Sequence, residues 1–148
     1  GNDIVLLIAG NIHSIEIYTE IEQYFCDRII YIGERSNIPQ LMNYSDAMCL
    51  PSIWEGLPVT LLESLSVGCI PICSPVGGLV NVINSGENGL LSKDSTEEEY
   101  YKTISCFLKM QEETIKIMKQ TALNSFEKFN MTHCAANYLE IYNKEKIN

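Results

Sequence analysis

The sequence has 148 residues, of which 46% are hydrophobic and 20% are charged, and its formal net charge is −9. These values fit one globular domain, and the negative charge argues against nucleic acid or an acidic membrane surface as a partner. No apolar run is long enough to predict a membrane span, and no secretory signal is found. The first residue is not Met, which predicts a piece of a larger protein.

Strand-like and helix-like segments alternate through the first 92 residues. Apolar runs predict strands at 4–9, 28–32, 47–50, 70–73 and 90–91, and the segments between them predict helices at about 15–25, 58–68 and 79–84, with a short helix that opens at Ser36 or Asn37. The first run, IVLLIA, is typical of a buried parallel strand. This alternation predicts an α/β fold, a parallel sheet with helices on both faces.

From Lys93 onward the pattern is helical, with helices predicted at about 95–110, 112–128 and 132–145. Charge divides the chain at the same point. Residues 1–92 contain ten acidic residues and only two cations, Arg28 and Arg35, whereas residues 93–148 contain nine acidic residues and eight lysines. The strand-rich part is therefore poor in cations.

The six cysteines are predicted to be reduced. Cys49, Cys69 and Cys73 lie in or beside apolar strand-like runs, and a chain of this length does not need disulfides to be stable. The spacing of Cys69 and Cys73 lacks a partnering Cys/His pair, so no metal site is expected. Both histidines, His13 and His133, are interpreted as surface or cap residues.

Two carboxylates stand out in the stretch 50–78, Glu55 in a loop and Glu63 in a helix. Apolar residues surround much of helix 58–68, which predicts that this helix is buried. A buried carboxylate needs a partner. The two vicinal hydroxyls of a ribose fit the two oxygens of Glu63. The alternative is an internal partner, such as a backbone amide or Ser52.

The loop 52–58 leads into the amino terminus of that helix, with Pro58 at the predicted first helical position. Free backbone N–H groups at Gly56, Leu57, Val59 and Thr60 could hold an anion there. The alternative is an ordinary tight turn between strand and helix. After the fourth strand, the pair Gly77-Gly78 permits a close backbone approach or a positive φ.

The run LPSIWEGLPVTLLESLSVGCIPICSPVGG resembles the signature region of the retaining GT-B glycosyltransferases of family 4 type (glycosyl transferases group 1). Glu55 and Glu63 match the Glu-x7-Glu motif of that family. The segments YIGERSNIPQLMNYSDAMCLPS, INSGENGLL and NYLEIY also resemble it, so the resemblance covers most of the chain. It implies a Rossmann-like, C-terminal half of a GT-B fold, with a βα core at 1–92 and a helical tail at 93–148.

The resemblance also implies roles for individual residues. Glu63 would hold the ribose hydroxyls, and Glu55, the implied catalytic residue, would contact the hydroxyls of the donor sugar or organise the diphosphate region. The backbone of Gly56, Leu57, Pro58, Val59 and Thr60 would meet the phosphates. Glu34 and Arg35 align with a loop that lines the base pocket.

The implied activity is hexosyl transfer from a nucleotide-diphosphate sugar, with retained configuration, to a sugar or lipid-linked acceptor, in surface polysaccharide synthesis. No metal or other cofactor is expected. The implied location is the cytoplasm or the inner face of the membrane. The implied partners are the nucleotide sugar and an N-terminal acceptor domain. Any association with a membrane would be through that N-terminal domain alone. The alternatives are a nucleotide-sugar epimerase of the same fold and a non-catalytic binding module.

Two departures from the family pattern bear on these roles. The cations with which the family neutralises the diphosphate lie upstream of this sequence, and Asn81 stands where the family usually has Glu after the glycine pair. The chain alone, without its N-terminal domain, first strand and first helix, is therefore expected to be inactive.

Overall fold

The structure is a computed structural model that describes residues 4–145. The chain forms two compact units, which meet in the sequence between Ile38 and Pro39. None of the helices in the described part is long and apolar enough to cross a bilayer.

The first unit is a strand, a helix and a second strand: β1 (Leu6–Ala9), α1 (Ile15–Glu22) and β2 (Ile29–Gly33). The two strands are parallel, with Leu6 opposite Ile29. Ser14 caps α1, because its Oγ accepts a hydrogen bond from the Ile17 N–H. Rings of Tyr18, Phe25 and Tyr31 lie 5.8–6.1 Å apart between centroids and form the aromatic contact of this unit.

The prediction that the first strand is buried is wrong. Leu6 and Leu7 are 43% and 42% exposed, and α1 has no buried residue. Among the described residues β1 pairs with β2 alone, in a two-stranded sheet. A two-stranded sheet has no interior strand, so its apolar side chains find less cover than the same run would have inside a wider sheet.

The second unit contains a three-stranded parallel sheet and most of the helices. Its sheet has the order β3 (Ala47–Leu50), β4 (Ile70–Cys73) and β5 (Leu90–Leu91), and all three strands have the predicted bounds. Three short helices lie along this part of the chain: α2 (Ile38–Asn43), α3 (Val59–Ser66) and α4 (Leu79–Val82). The later helices are α5 (Glu97–Phe107), α6 (Glu112–Ser125) and α7 (Met131–Glu145), with a 3₁₀ turn at Phe126–Phe129.

The core of the second unit lies on both faces of its sheet, which confirms the predicted α/β class. Successive side chains of a strand point to opposite faces, and the buried residues fall into two clusters accordingly. One cluster joins β4 to α3, α4 and α6 through Leu61, Leu65, Cys73, Leu79, Ile83 and Ala122. The other joins β4 and β5 to α5 and α6 through Ile70, Ile72, Leu90, Tyr100, Phe107 and Met118.

The turn before β5 is fixed by the buried side chain of Asn88. Its Oδ1 accepts a hydrogen bond from the Asn84 N–H at 2.7 Å. Its Nδ2 donates to the carbonyl of Val82 at 3.0 Å and to Ser125 Oγ, at the end of α6, at 3.2 Å. The Asn88 side chain thus pairs with backbone groups of the turn and also joins the turn to Ser125 of α6, 37 residues away in the sequence.

Helix α3 is amphipathic rather than buried all round, so that prediction is wrong. Leu61, Ser64 and Leu65 are buried, but Val59 is 69% exposed and Glu63 is only half-buried. Pro58 precedes the helix with an extended backbone, at φ −70° and ψ 135°, and is its N-cap instead of its first residue. Gly68, at φ 70°, follows the C-cap Val67, and this left-handed glycine ends the helix.

Gly77 and Gly78 touch the loop between β3 and α3 backbone to backbone. A Cβ at Gly77 would lie 1.7 Å from the carbonyl oxygen of Glu55, and one at Gly78 would lie 2.6 Å from that of Gly56. The Gly78 N–H donates a hydrogen bond to the same Gly56 oxygen at 2.6 Å. The close approach predicted for the pair is confirmed, as is the positive φ of Gly77, 53°.

Replacement of Gly77 by alanine is expected to destabilise the fold by more than about 2 kcal/mol, because a left-handed conformation and a clash with backbone add together. Gly86→Ala is the matched control, since Gly86 also has a positive φ, 90°, but open space around it. Urea unfolding of the two variants measures the difference. Equal losses of stability would show that the contact with Glu55 contributes nothing.

Tyr100→Phe is expected to lower the free energy of unfolding by about 1 kcal/mol. The Tyr100 hydroxyl donates a hydrogen bond of 2.7 Å to the carbonyl oxygen of Ile72, in a buried position. Tyr101, which is 70% exposed, supplies the control Tyr101→Phe. Chemical unfolding at pH 7 compares them, and a loss of stability no larger in Tyr100→Phe than in the control contradicts the prediction.

The same variant predicts a change at high pH. Burial raises the pKa of the Tyr100 phenol above its usual value of 10.0. The unfolded chain therefore releases this proton first, and the folded state loses stability as the pH rises above about 10. This loss should be smaller in Tyr100→Phe than in Tyr101→Phe.

Cys69 and Cys73 are expected to react slowly with iodoacetamide in the native protein. Burial raises the pKa of both thiols to about 12, so little thiolate forms at pH 8. Cys106 is exposed and serves as the internal reference. Mass spectrometry of timed labelling gives the rates, and labelling of either buried cysteine as fast as Cys106 would overturn this expectation.

Candidate functional site

The loop after β3 places Glu55 at the carboxyl end of the parallel sheet. Ser52 Oγ donates a hydrogen bond to Glu55 Oε1 at 2.7 Å, and both residues are half-buried. Among the described residues, the second carboxylate oxygen of Glu55 has no hydrogen-bond partner. The sequence offers Ser52 as an internal partner for Glu63, but in the structure the partner of Ser52 is Glu55, three residues away. One carboxylate oxygen is therefore fixed, and the other is available for a ligand.

Four backbone amides are grouped where this loop enters α3. The first hydrogen bond of the helix runs from the Leu61 N–H to the carbonyl of Pro58, at 3.1 Å. Within residues 56–60, four N–H groups have no protein partner: those of Gly56, Leu57, Val59 and Thr60. Together with the positive end of the helix dipole they form a group of donors suited to an anion.

Glu63 lies on α3 about one turn from the last two of these amides. Residues three and four apart on a helix are neighbours, so Glu63 lies above Thr60 and Val59, about one turn or roughly 6 Å along the axis. The buried residues of α3 point the other way, toward the core. Within the described chain, no ion pair or side-chain hydrogen bond is made to the Glu63 carboxylate. A non-catalytic module was expected to pair this carboxylate internally, and that pairing is not seen among the described residues.

The surroundings of these groups carry no positive side chain from their own part of the sequence. Residues 39–92 contain four acidic residues, Asp46, Glu55, Glu63 and Glu87, and no lysine or arginine. Lys119 does pair with Asp46, at 2.8 Å, but Asp46 directly precedes β3 and so lies at the other end of that strand. Residues 39–92 therefore supply no cation to the site.

Glu34 and Arg35 directly follow β2, in the first unit, and both are exposed. Their assignment to a base pocket stays a prediction. No group of three or more His, Cys, Asp or Glu side chains suited to a metal ion occurs within residues 4–145.

An open cavity of about 600 Å³ does not belong to this site. Its lining includes Asp46, Gly68 and Lys119, which lie near the amino ends of β3 and β4. In parallel α/β sheets ligands bind beyond the carboxyl ends of the strands. The site built around Glu55, the amides and Glu63 is at that end.

Comparisons with known proteins identify the family of the chain. Residues 1–124 match the model of the family described as glycosyl transferases group 1. The chain is 29% identical over 114 residues to N,N'-diacetylbacillosaminyl-diphospho-undecaprenol alpha-1,3-N-acetylgalactosaminyltransferase of Campylobacter jejuni, an alignment that covers 77% of this chain and 30% of that protein. The chain thus spans about a third of the length of this curated relative.

Solved structures show the same fold. HepE of Anabaena, in complex with UDP, superposes with a TM-score of 0.81 at 18% identity, covering 95% of this chain and 41% of the other. The C-terminal domain of a glycosyl transferase group 1 family protein from Francisella tularensis gives a TM-score of 0.65 at 21% identity, covering 78% and 62%. The match to the family model extends over most of the chain, and we conclude that this chain belongs to the glycosyl transferases group 1 family.

Proposed function

We propose that this chain binds the nucleotide part of a nucleotide-diphosphate sugar, and that the protein containing it transfers the sugar to a sugar or lipid-linked acceptor with retained configuration. The observation that carries the proposal is the position of Glu63, about one helical turn into α3 from the four free amides at the amino terminus of that helix. The amides suit a phosphate, and the carboxylate suits two hydroxyls.

The order of groups along the chain agrees with the order of groups in such a donor. Glu63 accepts hydrogen bonds from the ribose hydroxyls, the amides of 56–60 contact the diphosphate, and Glu55 faces the sugar. The hydrogen bond from Ser52 keeps one oxygen of Glu55 in place, so that the other can accept a sugar hydroxyl. The carboxylate is thus oriented before the ligand arrives, which limits the entropy lost on binding.

Departure of a nucleoside diphosphate needs positive charge that residues 39–92 do not supply. A leaving nucleoside diphosphate gains negative charge, and amides alone, beside Glu55 and without lysine or arginine at 39–92, stabilise it less than cations do. We propose that the missing positive charge comes from outside residues 39–92, with no metal ion involved.

The proposed acceptor is argued from a relative, and the proposed cellular location is argued from the cysteines. The Campylobacter jejuni relative is named for an undecaprenol-diphosphate-linked acceptor. By analogy, we propose a lipid-linked saccharide acceptor in surface polysaccharide synthesis. Six free cysteines in the described chain support a reducing compartment, so the proposed location is the cytoplasm or the inner face of the membrane.

Glu63→Gln is expected to weaken UDP binding about tenfold, equivalent to about 1.4 kcal/mol, because charged hydrogen bonds to the ribose are lost. Glu87→Gln removes the same charge from an exposed residue and is the control. Isothermal titration calorimetry of the chain with UDP measures both variants.

Comparison of UDP with 2′-deoxy-UDP identifies the group that Glu63 contacts. The wild-type chain should prefer UDP, and Glu63→Gln should lose most of that preference, as expected for two directly coupled partners. An undiminished preference for UDP in Glu63→Gln would refute the ribose assignment, and failure of the wild-type chain to bind UDP at all would refute the proposed function.

A further inference from the structure

Ser74 directly follows β4 and is only 2% exposed. Buried side-chain hydroxyls normally have a hydrogen-bond partner. Within residues 4–145 the backbone of Ser74 makes hydrogen bonds with Leu50 and Val76, but its side-chain hydroxyl makes none. Every fully enclosed side-chain oxygen or nitrogen of the described chain does have a partner. The Ser74 hydroxyl oxygen therefore belongs to the small part of this residue that solvent still reaches.

The other buried polar side chains of the described chain are paired. The hydroxyls of Ser64 and Ser92 each donate to a backbone carbonyl, at 2.8 and 2.6 Å. The amide of Asn88 uses both its oxygen and its nitrogen. Ser74 is the exception among these four residues, and an unpaired buried hydroxyl lowers the stability of a fold.

Two hydrogen bonds place Ser74 at the base of the candidate site. Its N–H donates to the carbonyl of Leu50, the last residue of β3, at 3.2 Å. Four residues later the Gly78 N–H donates to the carbonyl of Gly56 at 2.6 Å. The loops after β3 and β4 are thus joined at two points and form a ring. Ser74 lies at one junction of this ring, and the free amides of 56–60 begin at the other.

Electrostatics also connects this end of β4 with Glu55. Burial, followed by the negative charges of Cys49 and Glu55, raises the pKa of the Cys73 thiol to about 12. Cys73 is the residue directly before Ser74. The Glu55 carboxylate is therefore near enough to the end of β4 for its charge to act there.

The small exposed area limits what can reach the Ser74 hydroxyl. A sugar ring or a base cannot lie against it, whereas a single projecting oxygen can. The free donors of the adjoining loop are backbone amides, which suit an anion, and residues 39–92 supply no cation. A non-bridging phosphate oxygen projects from its group and accepts hydrogen bonds, so it fits both the opening and the donors.

We propose that the Ser74 hydroxyl donates a hydrogen bond to a non-bridging oxygen of the diphosphate, beside the four amides. This inference rests on the proposed function, which assigns the amides to the diphosphate. Ser74 makes no covalent bond in the reaction. It is a neutral donor that stays unpaired in the free chain and gains its partner when the nucleotide binds.

The stability of Ser74→Ala separates this role from a structural one. Because the hydroxyl has no partner in the free chain, its removal is expected to leave the urea midpoint of unfolding unchanged or higher. Ser92→Ala is the matched control. Ser92 also follows a strand, β5, and is 3% exposed, but its hydroxyl is paired, so its removal should lower the midpoint. A decrease in Ser74→Ala as large as in Ser92→Ala would overturn the inference.

Binding of uridine and of UDP to the 148-residue chain locates the contact. Measured by ligand-observed NMR, Ser74→Ala is expected to weaken UDP about tenfold and to leave uridine unchanged, because a hydrogen bond to a charged oxygen is lost. Glu63→Gln should weaken both ligands, since both contain the ribose. Ser92→Ala should weaken neither.

Each other outcome has a defined meaning. An equal loss for uridine and UDP in Ser74→Ala would overturn the inference and assign the hydroxyl to the nucleoside. A loss for UDP-glucose without a loss for UDP would overturn it and assign the hydroxyl to the sugar. UDP binding that depends on Glu63 but not on Ser74 would overturn it and leave the proposed function standing. No UDP binding by the wild-type chain would overturn both.

Discussion

The contact between Gly77-Gly78 and the backbone of Glu55-Gly56 is the constraint on which the site depends. Two loops from neighbouring strands approach until only hydrogen atoms fit between them, and a hydrogen bond of 2.6 Å from Gly78 to Gly56 joins them. That bond occupies the Gly56 carbonyl, the group that would accept from the Thr60 N–H if the helix extended one turn further back, so the Thr60 N–H stays unpaired.

The site has hydrogen-bonding groups but no positive side chain from residues 39–92. It offers four amides and two carboxylates, each oriented by its place at the carboxyl end of a parallel strand or on one face of α3. In the proposed function these groups recognise hydroxyls and an anion, and the positive charge for a departing diphosphate comes from outside residues 39–92. On that proposal, substrate binding and turnover should respond to different substitutions.

Local sequence patterns predicted the elements whose structure is set by neighbours along the chain. Strands β3, β4 and β5 have their predicted bounds, because short apolar runs between Gly, Pro and Ser have few other conformations available. Ser14 and Gly68 act at helix ends through local effects of the same kind, a side-chain cap and a left-handed glycine. The Glu55 and Glu63 positions were also identified from the sequence, by their spacing and their family resemblance.

The errors concern properties that depend on distant residues. The apolar run of β1 predicted burial, but burial depends on how many strands and helices cover it, which the run itself does not encode. In α3 the number of apolar residues predicts burial, but it does not indicate which face of the helix meets the sheet. Glu63 lies on the other face and is only half-buried. Ser52 was not assigned to Glu55, although their three-residue spacing is a signal. Asn88 shows no local sign that it joins Ser125 of another helix.

Surface loops usually accept insertions and deletions at little cost, and related enzymes often acquire new specificity in that way. The backbone contact at Gly77 removes this freedom from two loops at once. An added residue in either loop would separate Glu55 from the glycine pair, and a compensating change would be needed in the other. Diversification at this edge of the sheet is then confined to side-chain exchange at positions that the contact leaves free, such as the exposed Ile53 and Trp54. The length of these loops should vary little, while the side chains at those two positions can change.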